Sequence, residues 1–180
     1  MESMSGDLED VAAAIRSEVR LEAEEAEREA AVSAAMRRDV ADVARELMAH
    51  GDTVAIDVGQ RSFVGSIRAV GIDVVTLETG SSRVDVNLNC LQRMRLVKRA
   101  RSGGSRGTDR GTASFRARLL ELQLSDEAIE AGIAGSDESD AGHVALVGAD
   151  HIALGEEAEP EWFVPLASLA FVRTRDSSAG

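Results

Sequence analysis

The chain has 180 residues, 44% of them apolar, and a formal net charge of −12 at neutral pH. That length holds one or two small domains, and that apolar fraction excludes global disorder. A single cysteine excludes an internal disulfide framework and fits a reducing compartment.

The first residues, Met1-Glu-Ser-Met-Ser-Gly-Asp7, lack the basic start and apolar core of a secretory leader. The longest uncharged apolar run, Trp162–Val172, is too short to span a bilayer and contains Pro165. A cytoplasmic location is expected. Asp7 has the chemistry of an N-cap, and Glu9 and Asp10 suit a first helical turn. Leu8, Val11, Ile15 and Val19 follow at three- and four-residue spacing, and Val32, Met36, Val40, Val43 and Leu47 resume that face. No Gly or Pro interrupts the run before Gly51, which closes it as a C-cap. The pattern predicts one continuous helix from Leu8 to His50, ~60 Å long at 1.5 Å per residue. His50 at its C-terminus complements the helix dipole and needs no further role. Residues 1–34 carry a net charge of −7 and form an acidic helical arm. The arm is either a solvated helix or a coiled-coil or docking segment.

Residues 35–99 form a first unit. After its lead helix, Thr53–Val58 reads as a strand and Gly59-Gln60-Arg61-Ser62 as a turn. Then comes Gly65-Ser-Ile67-Arg-Ala-Val70-Gly71-Ile-Asp73-Val-Val75-Thr-Leu77, read as strand, tight turn, strand. Gly71 and Asp73 supply the turn chemistry. Gly65, inside a strand, marks a bend or a close backbone approach. Val84, Val86, Leu88 and Leu91 continue into two more strands. Cys90 between them reads as a buried or edge residue, because no base stands near it in the sequence.

Residues 100–112 are a Gly/Ser/Arg linker. Arg93, Arg95, Lys98, Arg99, Arg101, Arg106 and Arg110 make the stretch 93–110 basic, against one acid, Asp109. Such a stripe is either solvated, laid against the acidic parts of the chain, or in contact with phosphates.

Residues 113–175 repeat the first unit, and 176–180 read as a frayed tail. The core of the copy is Gly142-His-Val144-Ala-Leu-Val147-Gly148-Ala-Asp150-His-Ile152-Ala-Leu154, 77 residues after its counterpart without a gap. One inserted residue later, Trp162, Val164, Leu166 and Leu169 match Val84, Val86, Leu88 and Leu91. A helix over Ser114–Leu124 is expected to match the first lead helix at the same spacing, Leu120 with Val43 and Leu124 with Leu47. A strand is expected near Ala128–Ile133. A shared period of this length means two copies of one small unit. The expected cores are Ile67, Val75, Leu77, Val86 and Leu88 in one unit, and Val144, Ile152, Leu154, Val164 and Leu166 in the other. Gly142, Gly148 and Asp150 take the parts of Gly65, Gly71 and Asp73. His143 and His151 flank the second hairpin, where the first copy has Ser66 and Val74. Their spacing allows a metal site, but surface histidines explain it as well. The acids at 137–140 and 156–159 lack the spacing of a calcium loop. No P-loop, GxSxG or GxGxxG occurs, so no cofactor is expected and the chain is read as non-enzymatic.

The run Phe63, Gly65, Ile67, Val70, Asp73 with its later V-x-V-x-L strand resembles the Sm-like group of small SH3-like barrels. The full layout also resembles a group of actinobacterial proteins that supplies no function to transfer. The resemblance implies an α+β chain: a long N-terminal helix, then two tandem small bent five-stranded antiparallel barrels, each led by a helix. It also implies RNA binding through an Asp/Asn pair and an Arg-Gly, but Asn87-Leu-Asn-Cys90 and Pro165-Leu-Ala-Ser168 hold no Arg-Gly. The expected function is an assembly module that binds itself or a protein partner. The alternative is an RNA-associated protein using the Arg93–Arg110 stretch. No membrane partner is expected.

Overall fold

A computed structural model of the chain describes residues 3–80, 82–101, 113–156 and 159–175. The chain divides into two compact units, Met1–Asp39 and Val40–Gly180. The first holds one helix, α1 (Ser3–Arg37), so Asp7, expected as an N-cap, lies inside it.

The predicted uninterrupted helix is corrected. Arg38 and Asp39 leave the helical conformation, and a separate helix, α2, runs Val40–His50. The cause is local. The Arg38 N–H turns back to the Ala35 carbonyl at 3.3 Å, a tight i→i−3 ending. Asp39 then offers the carboxylate that favours the position before a new helix. Gly51 ends α2 in the left-handed region, φ +73°.

Ten strands follow. They are β1 (Thr53–Val58), β2 (Arg61–Val70), β3 (Val74–Thr79), β4 (Ser82–Asn87) and β5 (Leu91–Lys98). After helix α3 (Phe115–Ser125) come β6 (Ile129–Ile133), β7 (Ser139–Val147), β8 (His151–Gly155), β9 (Trp162–Pro165) and β10 (Leu169–Arg175). All ten join one antiparallel sheet in the order β5-β1-β2-β3-β4-β10-β6-β7-β8-β9.

This corrects the expectation of two tandem five-stranded barrels. β4 and β10 pair with each other, from Phe171↔Val86 to Arg175↔Ser82, and carry the ladder from the first half into the second. A strand with one bare edge presents a row of unpaired N–H and C=O groups, and another strand is the natural way to satisfy them. The result is one open sheet with two ends.

Within that sheet the halves share a register. Ile67↔Leu77 and Val70↔Val75 in β2–β3 recur as Val144↔Leu154 and Val147↔Ile152 in β7–β8, each 77 residues on. Both hairpins are irregular after the first of those pairs. In both, the turn glycine donates its N–H across the turn at 2.8 Å, Gly71 to Val74 and Gly148 to His151. A Cβ at Gly65 would collide with the Glu78 carbonyl, so the side chain must be absent there.

Before the hairpins the spacing is 75, not 77. α2 and α3 both have 11 residues, and each is followed by a left-handed residue, Gly51 or Asp126. The connection from Ile133 to Ser139 is two residues longer than that from Val58 to Ser62, which shifts everything upstream. Val43 therefore corresponds to Arg118, and Leu47 to Leu122.

Two cores form. The first gathers Val54, Ile56, Ile67, Val75, Leu77, Val84, Val86 and Leu88 under Ala41 and Ala44 of α2. The second gathers Ile129, Val144, Ile152, Leu154, Val164 and Leu169 under Phe115, Leu119 and Leu122 of α3, with Leu166 packed against it. β10 serves both, because alternate residues point to opposite faces: Phe171 enters the first core and Val172 the second. No helix among the described residues is long and apolar enough to cross a membrane.

Candidate functional site

The seam between the halves concentrates the buried polar groups. Asp85 of β4 is 1% exposed and lies opposite Val172 of β10. Its carboxylate accepts from the Thr76 hydroxyl at 2.5 Å and from the Arg118 Nε–H of α3 at 2.8 Å. Arg118 is 13% exposed and also reaches Glu121 at 3.0 Å. Burial works against its charge, but the Asp85 and Glu121 carboxylates outweigh that and raise its pKa. Next along β4, the buried Asn87 donates from Nδ2 to the carbonyls of Leu169 (3.0 Å) and Leu166 (3.3 Å), while its Oδ1 accepts the Asn89 N–H at 3.0 Å. Asp85, Arg118 and Asn87 thus find partners at or across the seam, whereas the buried Nε of Arg173 on β10 has none among the described residues.

The hairpin aspartates divide. Asp73 uses its Oδ1 to accept the N–H of Phe115, the first residue of α3, at 2.7 Å. The first half thus supplements the cap of the second half's helix, whose own N-cap Ser114 accepts the Ala117 N–H at 3.2 Å. The Asp150 side chain is 91% exposed and bonds its neighbour His151, 2.8 Å away, which holds the carboxyl below its ordinary pKa, while the Asp150 backbone carbonyl accepts the Leu166 N–H at 2.8 Å. His143 sits apart, against Asp126 at 3.1 Å. Among the described residues no group of three or more His, Cys, Asp and Glu side chains could hold a metal ion. Cys90 points its thiol at the carbonyls of Ala167 (3.6 Å) and Leu169 (3.7 Å), and burial pushes its pKa up. A thiol so placed is a seam contact, with no base beside it among the described residues.

The basic stretch is partly committed. Arg93 Nε–H donates to Asp57 at 2.7 Å, and Arg95 approaches the same oxygen at 3.7 Å. The Ser62 hydroxyl donates to the other Asp57 oxygen at 2.6 Å, and with Arg93 it lowers the Asp57 pKa. Arg101 also has a partner. Lys98 and Arg99 make no ion pair among the described residues. Arg106 and Arg110 lie outside those residues.

A cleft of about 770 Å³ opens beside β6, β7 and β10, lined by Asp126, Glu127, Glu130, Ser139 and Arg173 among others. Its central acid is already engaged. Glu130 accepts from the Ser139 hydroxyl at 2.8 Å and pairs with Arg173 at 3.5 Å.

The two ends of the sheet differ from the seam. β5 pairs only with β1, and β9 only with β8. β5 carries Arg93, Arg95 and Lys98, all exposed, and its Leu96 and Val97 are exposed apolar residues. β9 exposes Phe163 and is preceded by Glu156, Glu159 and Glu161. The roles of Asp85, Asn87 and Arg118 at the seam escaped the sequence analysis. A signal was present: at equivalent strand positions one copy has Asp85 and the other Phe163. No protein-family model and no curated protein matches the chain.

Proposed function

We propose that this chain is a non-enzymatic assembly module that binds itself or a protein partner by strand addition at the two open edges of its sheet. The observation that carries this is the β4–β10 seam. β9 is the counterpart of β4, and β5 is the counterpart of β10. The chain therefore bears, unpaired at its two ends, both halves of the junction it makes in its middle. An added strand satisfies the bare N–H and C=O groups of an edge and gives affinity through the main chain.

Charge favours a copy of the same chain. The β5 edge is basic and the approach to β9 is acidic, so the end of one molecule attracts the opposite end of another. The contact is heterologous, joining unlike surfaces. Use of the basic stretch for RNA draws less support, because Arg93 and Arg95 already share Asp57.

Mass by light scattering and backbone hydrogen exchange, measured together over a concentration series, test this. The mass is expected to rise above the 19.1 kDa monomer as amides in 91–98 and 161–164 gain protection, and to fall back in high salt. A monomer at every concentration, or a rise in mass with both edges still exchanging freely, overturns the proposal.

A further inference from the structure

The internal seam is a template for the contact at the edges. We infer that Phe163 of one copy packs on Val43 and Met94 of a second copy, and that this apolar contact sets the register and selectivity of assembly. The inference rests on the self-pairing proposed above and names the residues that make it specific.

The assignment follows position by position. Asp85 lies opposite Thr76 in β3, and Phe163 lies opposite Ala153 in β8, so Phe163 takes the place of Asp85. Val172 lies opposite Ala131, and Met94 opposite Ile56, so Met94 takes the place of Val172. Arg118 is the fourth residue of α3 and Val43 the fourth of α2, in helices of equal length with equivalent left-handed ends. Within the chain Asp85 meets Val172 across the strands and Arg118 from the helix. Between chains, the same geometry brings Phe163 to Met94 and Val43.

All three residues at the edges are apolar, and two are left in water. Phe163 is 62% exposed and Val43 40%, while Met94 sits half-buried at the margin of the first core. Removing Phe163 from water drives the contact without leaving any polar group unpaired. The ladder alone is short, since Pro160 and Pro165 carry no N–H and bound the pairing strand at Glu161–Val164. Side chains must therefore supply the selectivity. They also prevent mismatching. An intruding copy that opened the internal seam would set Val43 against Asp85 and bury a carboxylate without its guanidinium. An ionic pair inside and an apolar one outside keep the two junctions distinct. In the matching register Glu161 falls beside Leu96, between Arg95 and Lys98, which adds attraction at the rim.

The test uses the full chain with Phe163→Asp or Val43→Arg, and sedimentation velocity over a concentration series. Each substitution alone is expected to raise the concentration for half-association at least tenfold. An equimolar mixture of the two variants is expected to recover association. The carboxylate introduced in one chain then meets the guanidinium introduced in the other, which rebuilds the internal pair between molecules. Thermal melts followed by circular dichroism check that each variant folds, and Phe163→Ser and Val43→Ser serve if either does not. Wild-type association that both substitutions leave unchanged overturns this inference alone. So does weakening without recovery in the mixture. A wild-type chain that stays monomeric throughout overturns the self-pairing on which it rests.

Discussion

At the seam, β4 meets β10 with Asp85 and Asn87 buried and fully partnered; at the free ends, the equivalent positions hold Phe163 and Pro165, both exposed. The backbone frame is the same in the two places, with strand pairs that match residue for residue. The difference lies in what each junction requires. A buried carboxylate demands a guanidinium in one position, so the seam is specific and is costly to open. An apolar edge demands nothing when exposed and loses nothing polar when covered. One fold frame thus carries a closed junction in its middle and open edges at its ends.

The largest expected effect comes from breaking the seam chemistry while leaving the edges alone. Asp85→Ala leaves the mostly buried Arg118 with the half-exposed Glu121 as its ion-pair partner, and urea unfolding is expected to show a loss of about 3 kcal/mol, the lower end of the range for removing one partner of a buried pair. Phe163→Ala, at the equivalent edge position, is expected to stay within about 0.5 kcal/mol in the dilute monomer. Replacing the seam pair with the edge residues, Asp85→Phe with Arg118→Val, is expected to recover most of the loss, since apolar residues often substitute for a buried ion pair. Equal losses at Asp85 and Phe163 would break the comparison.

The hairpin aspartates give a smaller contrast. Asp73→Ala removes the acceptor for the first N–H of α3 and is expected to cost about 1 kcal/mol, as loss of a helix cap does. Asp150→Ala is expected to leave the unfolding midpoint unchanged, because that side chain stands in solvent. The smallest effect is a pH dependence at the β5 edge. The Asp57 pKa is lowered in the folded chain by Ser62 and Arg93. Its contribution is therefore fully present above the ordinary aspartate value of about 3.9 and is lost as pH falls through the lower folded value. Asp57→Asn is expected to lower stability slightly at pH 7 and to flatten its fall below about pH 4, so that the two chains converge in acid. An identical acid limb in both chains would remove Asp57 from the account of that edge.

What the sequence determined by itself was local. The 77-residue offset predicted both hairpins in register and most of the two cores, while Gly65 inside a strand and Gly51 after the helical run marked a close backbone approach and a left-handed helix end. Each of these follows from neighbours in the chain: period-two burial, turn chemistry and caps. It could not separate α1 from α2, because the residues at 38–39 keep helical periodicity and only the hydrogen bonding shows the stop. It also missed the 75-residue spacing of the helices, since a two-residue difference in one loop leaves the apolar pattern readable either way. Only the tertiary structure decided that the halves merge through β4 and β10. It alone paired Asp85 with Arg118 and placed Phe163, Val43 and Met94 at equivalent positions of opposite edges. The physical reason is range. A repeat records which strands pair with their neighbours in sequence, whereas the partner of a bare strand edge is set by whatever complementary edge arrives from a distant part of the fold.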